Sequence, residues 1–197
     1  MPKLVDHDRR RSDIAAAARR VLRRDGIERL SVRNVAHEAG LSPGALRHYF
    51  PRHDDLVRFA LRQFLDDLQA RIAALDFPTD DLEAATLLVE QVLPLDKQRR
   101  EDMEVWLGYT ERARFDPVLH DMSLESQDAL ALLARSALAR LDEGGALRDG
   151  LDLDIETDRL HALIDGLALH AYVHPERISG DQLRRVIRHH LGELVGD

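Results

Sequence analysis

The chain has 197 residues, 44 % of them apolar, no cysteine and a formal net charge of −8. That length can bury a sizeable core, as one large helical domain or as a small domain joined to a larger one. Without cysteine there are no disulfides, thiolate zinc sites or cysteine nucleophiles. The longest unbroken apolar run, Ala129–Ala134, is six residues, where a membrane span needs roughly 20. The opening MPKLVDHDRRR holds no apolar stretch of secretory type. The expected location is the cytoplasm, with no membrane partner.

The charge is unevenly spread. Residues 1–60 hold 13 basic and 8 acidic side chains, a balance of +5, which leaves 15 and 28, or −13, for the rest. A basic first third on an acidic chain is the electrostatic footprint of a nucleic-acid module, although arginines on an N-terminal helix also serve simply as its solvated face.

In chain order, Met1 to Asp8 is expected to be a loose arm whose Lys3, with Arg9–Arg11 behind it, can reach phosphates. A first helix follows from about Asp8 to Asp25, with Ile14, Ala17, Ala18, Val21 and Leu22 as its buried stripe and Gly26 as its end. In SVRNVAHEAGLSPGALRHYF, Ser31–Phe50, Val32, Val35, Ala36 and Ala39 share one helix face. Ser31 stands where an N-cap belongs, and Gly40 where the chain leaves the helix through positive φ. Ser42-Pro43 opens a second helix and Phe50-Pro51 closes it. This is the spacing of a helix-turn-helix, or of an ordinary helical hairpin with glycine at its corner. The outer face of the second helix offers Gly44, Ala45, Arg47 and His48, groups suited to close approach to a major groove. A fourth helix is expected from about Asp54 to Leu75. Phe77-Pro78 then marks a boundary, and helices are expected near 81–93, 97–114, 117–142, 155–174 and 180–194. No segment alternates with a two-residue period, so the fold class is all-α. The domains are expected to be a helix-turn-helix head over 1–53 and a larger helical body over 54–197.

These residues resemble the TetR family of bacterial one-component transcription regulators. The match is carried by Ile14, Ala17-Ala18, Gly26 and the run SVRNVAHEAGLSPGALRHYFPRHDDL, Ser31–Leu56. The stretches LPLDKQRREDMEVWLGY, Leu93–Tyr109, and DGLALHAYVHPER, Asp165–Arg177, resemble the choline-responsive BetI-type branch. The resemblance implies a homodimer on double-stranded operator DNA, released by a small-molecule effector, most simply as a repressor. An architectural DNA binder without an effector is the alternative. No enzyme motif is present, and no cofactor or metal is expected. His170 and His174 share a helix face, but no third ligand converges on them.

Base edges are assigned to Arg47 and His48, with Ser42, Pro43, Gly44 and Ala45 permitting close approach. Arg33, Tyr49, Arg52 and His53 are the phosphate candidates. The family usually carries lysine at the position of His53, so Arg52 is expected to share that contact. Phe64, Met103, Trp106, Leu107, Tyr109, Phe115 and Met122 are the effector-site candidates, and the same residues also describe an ordinary core. By resemblance the last two helices pair across the dimer. Leu160, Leu163, Ile164, Leu167 and Tyr172 on one, with Leu183, Val186, Ile187 and Leu191 on the other, either form that interface or complete the chain's own core.

Overall fold

A computed structural model describes residues 3–196; Met1, Pro2 and Asp197 lie outside it, as do the side chains of residues 3–8. The described residues form nine α-helices: α1 Lys3–Asp25, α2 Val32–Glu38, α3 Pro43–Tyr49, α4 His53–Ala73, α5 Asp81–Val89, α6 Lys97–Ala113, α7 Pro117–Glu143, α8 Leu153–Val173 and α9 Gly180–Leu194. Short 3-10 turns follow α1 and α5. The only extended pairing among the described residues is a single antiparallel bridge between Leu147 and Val195.

Two boundaries differ by more than two residues from those read in the sequence. Helix α1 begins at Lys3 rather than Asp8: no residue from there to Asp8 breaks a helix, so the first turn propagates back. Helix α5 stops at Val89 and tightens into a 3-10 turn over Glu90–Val92. Guanidiniums take the carbonyls left over there. Arg99 Nη1 donates to Glu90 O at 2.7 Å and Arg71 Nη2 to Gln91 O at 3.1 Å, satisfying acceptors that a helix end leaves open.

The chain forms two compact units, residues 1–70 with 104–123, and residues 71–103 with 124–197. The first therefore reaches well beyond 1–53. Its core joins Ile14, Ala17, Ala18, Val21 and Leu22 of α1 to Val35, Ala36 and Leu46 of the helix-turn-helix, and to Leu56, Ala60 and Phe64 of α4. Val105, Tyr109 and Ala113 of α6, with Leu119 and Met122 of α7, belong to the same core. Gly108 lets α6 approach closely: a Cβ there would sit 3.4 Å from Ile27 Cγ2.

In the second unit α5 packs on α9. Leu88 and Val89 of α5, Ala134, Leu138 and Leu141 of α7, Leu160 and Ile164 of α8 and Leu183, Ile187 and Leu191 of α9 are all buried. Asp80, Asp152 and Ser179 cap α5, α8 and α9 by accepting backbone N–H groups of the first turn, a contact worth about 1 kcal/mol each. A part-buried ion pair ties α4 to α6 within this unit, Arg71 Nη1 to Asp102 Oδ2 at 2.9 Å.

Candidate nucleic-acid interface

The turn between α2 and α3 is fixed locally. Ser31 Oγ accepts the Asn34 N–H at 3.2 Å, and Ser42 Oγ accepts the Ala45 N–H at 3.1 Å. Gly40 has φ 65°, and Leu41 N donates to Ala36 O at 2.8 Å, the six-to-one bond of a glycine-terminated helix. Leu46, fully buried, anchors α3 on the core, and Phe50 anchors the residue after it. With that face committed inward, Ser42, Pro43, Gly44, Ala45, Arg47 and His48 are all exposed, as are Arg33 of α2 and Arg52 and His53 at the start of α4. Tyr49 is half-buried, with its ring packed against the core and edge-on to His48 at 5.9 Å between centroids. The ten DNA candidates thus lie in one unit, on α2, α3 and the turn into α4.

The charges of this head are not equally available. Arg20 Nε and Arg24 Nη1 both bind the Glu38 carboxylate, at 2.6 and 3.0 Å, and these hydrogen bonds hold Glu38 below the usual carboxylate range. Arg24 also grips Asp25, whose carboxyl is pushed down in turn. These α1 arginines clamp α1 to α2, a role not visible in the sequence. Arg52 Nη2 binds Asp54 Oδ2 at 2.8 Å, and that carboxylate raises the guanidinium's affinity for its proton. Arg33 and Arg47 are exposed without such a clamp, and Arg9, Arg10 and Arg11 are exposed on α1.

The effector candidates fall in several places. Phe64, Tyr109 and Met122 are buried in the core of the first unit, with Trp106 packed against it. Leu107 is half-buried, and Met103 is buried in the second unit. Phe115 is 85 % exposed. It follows Arg114 in the short link between α6 and α7. A surface groove of about 420 Å³ between α7 and α8, lined by Ala131, Leu132, Arg135, Asp154, Thr157 and Asp158, contains none of these candidates.

The dimer candidates divide likewise. Leu160, Ile164, Leu183, Ile187 and Leu191 are buried within their own chain. They are the core stripes of α8 and α9, so they present no face to a partner. Leu163, Leu167 and Tyr172 are half-buried, and Val186 is 38 % exposed. A further line of exposed residues runs along α8. Ile155, Ala162 and Leu169 recur every seven residues and are exposed, beside Arg159, Gly166 and Val173 with the same period. The seven-residue recurrence follows one side of α8, where Arg159, paired with Glu156 of the same helix, interrupts the apolar residues. A Cβ at Gly166 would meet nothing within 4 Å. Beside this seam burial raises the Asp165 carboxyl, although His161 works against it. On α9 burial, aided by Arg159, lowers the His190 imidazole. Among the described residues no group of three or more His, Asp or Glu side chains is placed to hold a metal ion, and no helix is long and apolar enough to cross a membrane.

A capped helix-turn-helix with an exposed basic recognition face, on an otherwise acidic all-helical chain, defines a DNA-binding transcriptional regulator. The chain belongs to the TetR family. Residues 14–59 match the model described as bacterial regulatory proteins, tetR family, and residues 78–196 match the BetI-type transcriptional repressor C-terminal model. The HTH-type transcriptional regulator PksA of Bacillus subtilis is 41 % identical over 197 residues, covering 98 % of this chain and 94 % of that protein. BetI of Vibrio vulnificus is 27 % identical over 195 residues, covering 97 % and 95 %. Among solved structures, a putative regulator from Saccharomonospora viridis in complex with choline superposes with a TM-score of 0.78 at 25 % identity, covering 97 % of this chain and 99 % of that one. Regulators of this family bind DNA and small-molecule effectors and act as dimers.

Proposed function

We propose that this chain is a cytoplasmic, non-enzymatic repressor that grips a palindromic operator as a homodimer and lets go when a small effector occupies its body. The observation that carries the reading is the exposed α3 face, Ser42 to His48, held outward by two serine caps and by buried Leu46. Gly44 and Ala45 let the helix sit deep in a groove, Arg47 reads a guanine edge, and Arg33, Tyr49, Arg52 and His53 meet the flanking phosphates. A head over 1–53 reads, and the remainder senses and pairs. The exposed apolar residues Ile155, Leu169 and Val173 of α8 and Val186 of α9 support pairing with a second copy. A two-fold dimer matches two half-sites a helical turn apart. Helices α4, α6 and α7 each run through both units, so a displacement in the body travels along continuous helix. The effector shifts the balance only by its unequal affinity for the two states.

Arg47→Ala is expected to relax base preference by about 1–3 kcal/mol at the contacted position while non-specific binding persists. A gel-shift series on the DNA beside its own gene against mixed sequence, at stated salt, checks this. Equal loss on every sequence would refute the role of Arg47.

For the effector, the choline complex of the Saccharomonospora viridis structure and the aromatic pair Trp106 and Tyr109 support a quaternary ammonium ion, which aromatic faces attract. Millimolar choline is then expected to change the emission of Trp106, the sole tryptophan, and to weaken operator binding in parallel. Unchanged emission together with unchanged DNA affinity removes choline as the ligand.

A further inference from the structure

The short turn Ile27–Arg29 lies between the helix-turn-helix and α6 and touches both. On the α6 side, Ile27 is buried against Gly108, where a Cβ would come within 3.4 Å of its Cγ2. One turn further along α6, Arg112 Nη1 holds Glu28 Oε1 at 2.8 Å. On the head side, Asn34 Nδ2 of α2 donates to Arg29 O at 2.8 Å. Leu30, fully buried, then leads directly into Ser31, the cap of α2. We propose that this turn is a coupling element: α6 sets the tilt of α2 and α3 through Ile27 and Glu28, and DNA on the recognition face sets α6 in return. The proposal rests on the assignment of the α3 face to DNA, and it adds a route across helices to the one that runs along them.

Helix α2 is gripped at both ends. Its C-terminal end is fixed to α1, because Arg20 and Arg24 share the Glu38 carboxylate at 2.6 and 3.0 Å. Its N-terminal end reaches α6 through the turn. Seven residues make α2 about 10 Å long. With Glu38 held, a shift of about 1 Å at the turn tilts a rod of that length by about 6°. The tilt passes to α3, because Leu46 shares one core with Val35 and Ala36 and Leu41 N is bonded to Ala36 O at 2.8 Å. The two contacts on the turn have different strengths. Glu28 and Arg112 keep 74 % and 45 % of their side-chain surface exposed, and so wet a pair shifts an equilibrium by about fivefold at most. Ile27 on Gly108 is steric. A glycine inside a helix is disfavoured, and here it leaves the room that Ile27 fills. Packed interiors do not yield to added bulk, so a larger side chain at 108 has to displace the turn. Trp106, the sole tryptophan, stands two residues before Gly108 and packs against the same core, which makes it a reporter of α6.

The test uses the full chain and a mixed-sequence duplex of about 30 base pairs, long enough for two half-sites a helical turn apart, at about 50 mM salt. Anisotropy of the labelled duplex gives affinity, and Trp106 emission reads α6 in the same titration. Wild type is expected to change its emission in step with occupancy. Glu28→Gln and Arg112→Gln should each bind within about fivefold of wild type and lose most of the emission change. Glu28→Arg with Arg112→Glu, which rebuilds the pair with its signs exchanged, should regain it. Gly108→Val should weaken binding by about 5-fold to 100-fold, the range that overpacking a filled site implies. Ile27→Ala in the same chain should return most of that loss, because the two side chains meet. Should Gly108→Val fail to fold, the exposed Glu28 and Arg112 variants decide the matter. A wild-type emission that ignores bound duplex overturns the proposal while leaving DNA binding intact. So does a full emission change in both glutamine variants, an exchanged pair that folds without regaining the response, or Gly108→Val binding as wild type does. Failure of wild type to bind the duplex at all overturns this proposal together with the assignment of the face to DNA.

Discussion

Arg71→Met is expected to destabilise the protein by about 3 kcal/mol or more, because breaking a buried ion pair leaves the other charge in a poor solvent. Arg71 and Asp102 keep only 22 % and 12 % of their side-chain surface exposed, so water offers the Asp102 carboxylate little in exchange. The same guanidinium also holds Gln91 O at the end of the turn after α5, and leaving a buried acceptor without its donor costs a further 1–3 kcal/mol, roughly. One side chain thus joins α4, α6 and the end of α5. Urea unfolding followed by circular dichroism reads the loss. Arg71→Met with Asp102→Leu should recover most of it, since an apolar pair can replace a buried ionic one at little cost. A single-variant loss below about 1 kcal/mol would show that the pair is solvated and structurally idle.

Leu46→Ala is expected to cost about 2–5 kcal/mol and to abolish specific operator binding. Leu46 is the fully buried residue of α3, a helix of seven residues. So short a helix has no stability of its own and depends on packing. Removing three methyl-sized carbons opens a cavity directly beneath the recognition face and frees α3 to shift. Thermal unfolding gives the stability term and gel shift the functional one. Arg47→Ala, one position on but exposed, supplies the contrast: it should leave the melting temperature unchanged while altering base preference. If Leu46→Ala melts as wild type does, α3 is not held by this side chain and the account of the head's rigidity fails.

The head was legible because its instructions are local. Ser31 and Asn34, Ser42 and Ala45, Gly40 and Leu41 each lie within four residues of one another, so residue type and spacing were enough. The exposed face of α3 followed directly from the buried one. The α1 arginines were not legible in the same way. Arg20 and Arg24 lie outside the buried stripe of α1, yet Glu38, 18 and 14 residues on, holds both. The Arg71 and Asp102 pair is separated by 31 residues, and nothing in the intervening sequence announces it. Helix α8 was ambiguous for another reason. It is apolar on two sides, and the strongest stripe, Leu160 and Ile164, belongs to the chain's own core. The weaker seam, diluted by Ala162 and Gly166, is the one left facing outward. Phe115 shows a third limit, since an aromatic side chain in a short link between helices carries no periodicity from which burial can be read.

The core of the first unit bears on any attempt to build a hybrid sensor from this chain. Grafting residues 1–53 onto an unrelated body would strip away Val105, Tyr109, Ala113, Leu119 and Met122, which fill the same interior as Ile14 and Leu46. The graft would then carry a hole where α6 and α7 belong. A transplantable reader from this scaffold has to bring residues 104–123 with it, or find a recipient whose own helices supply side chains of matching bulk.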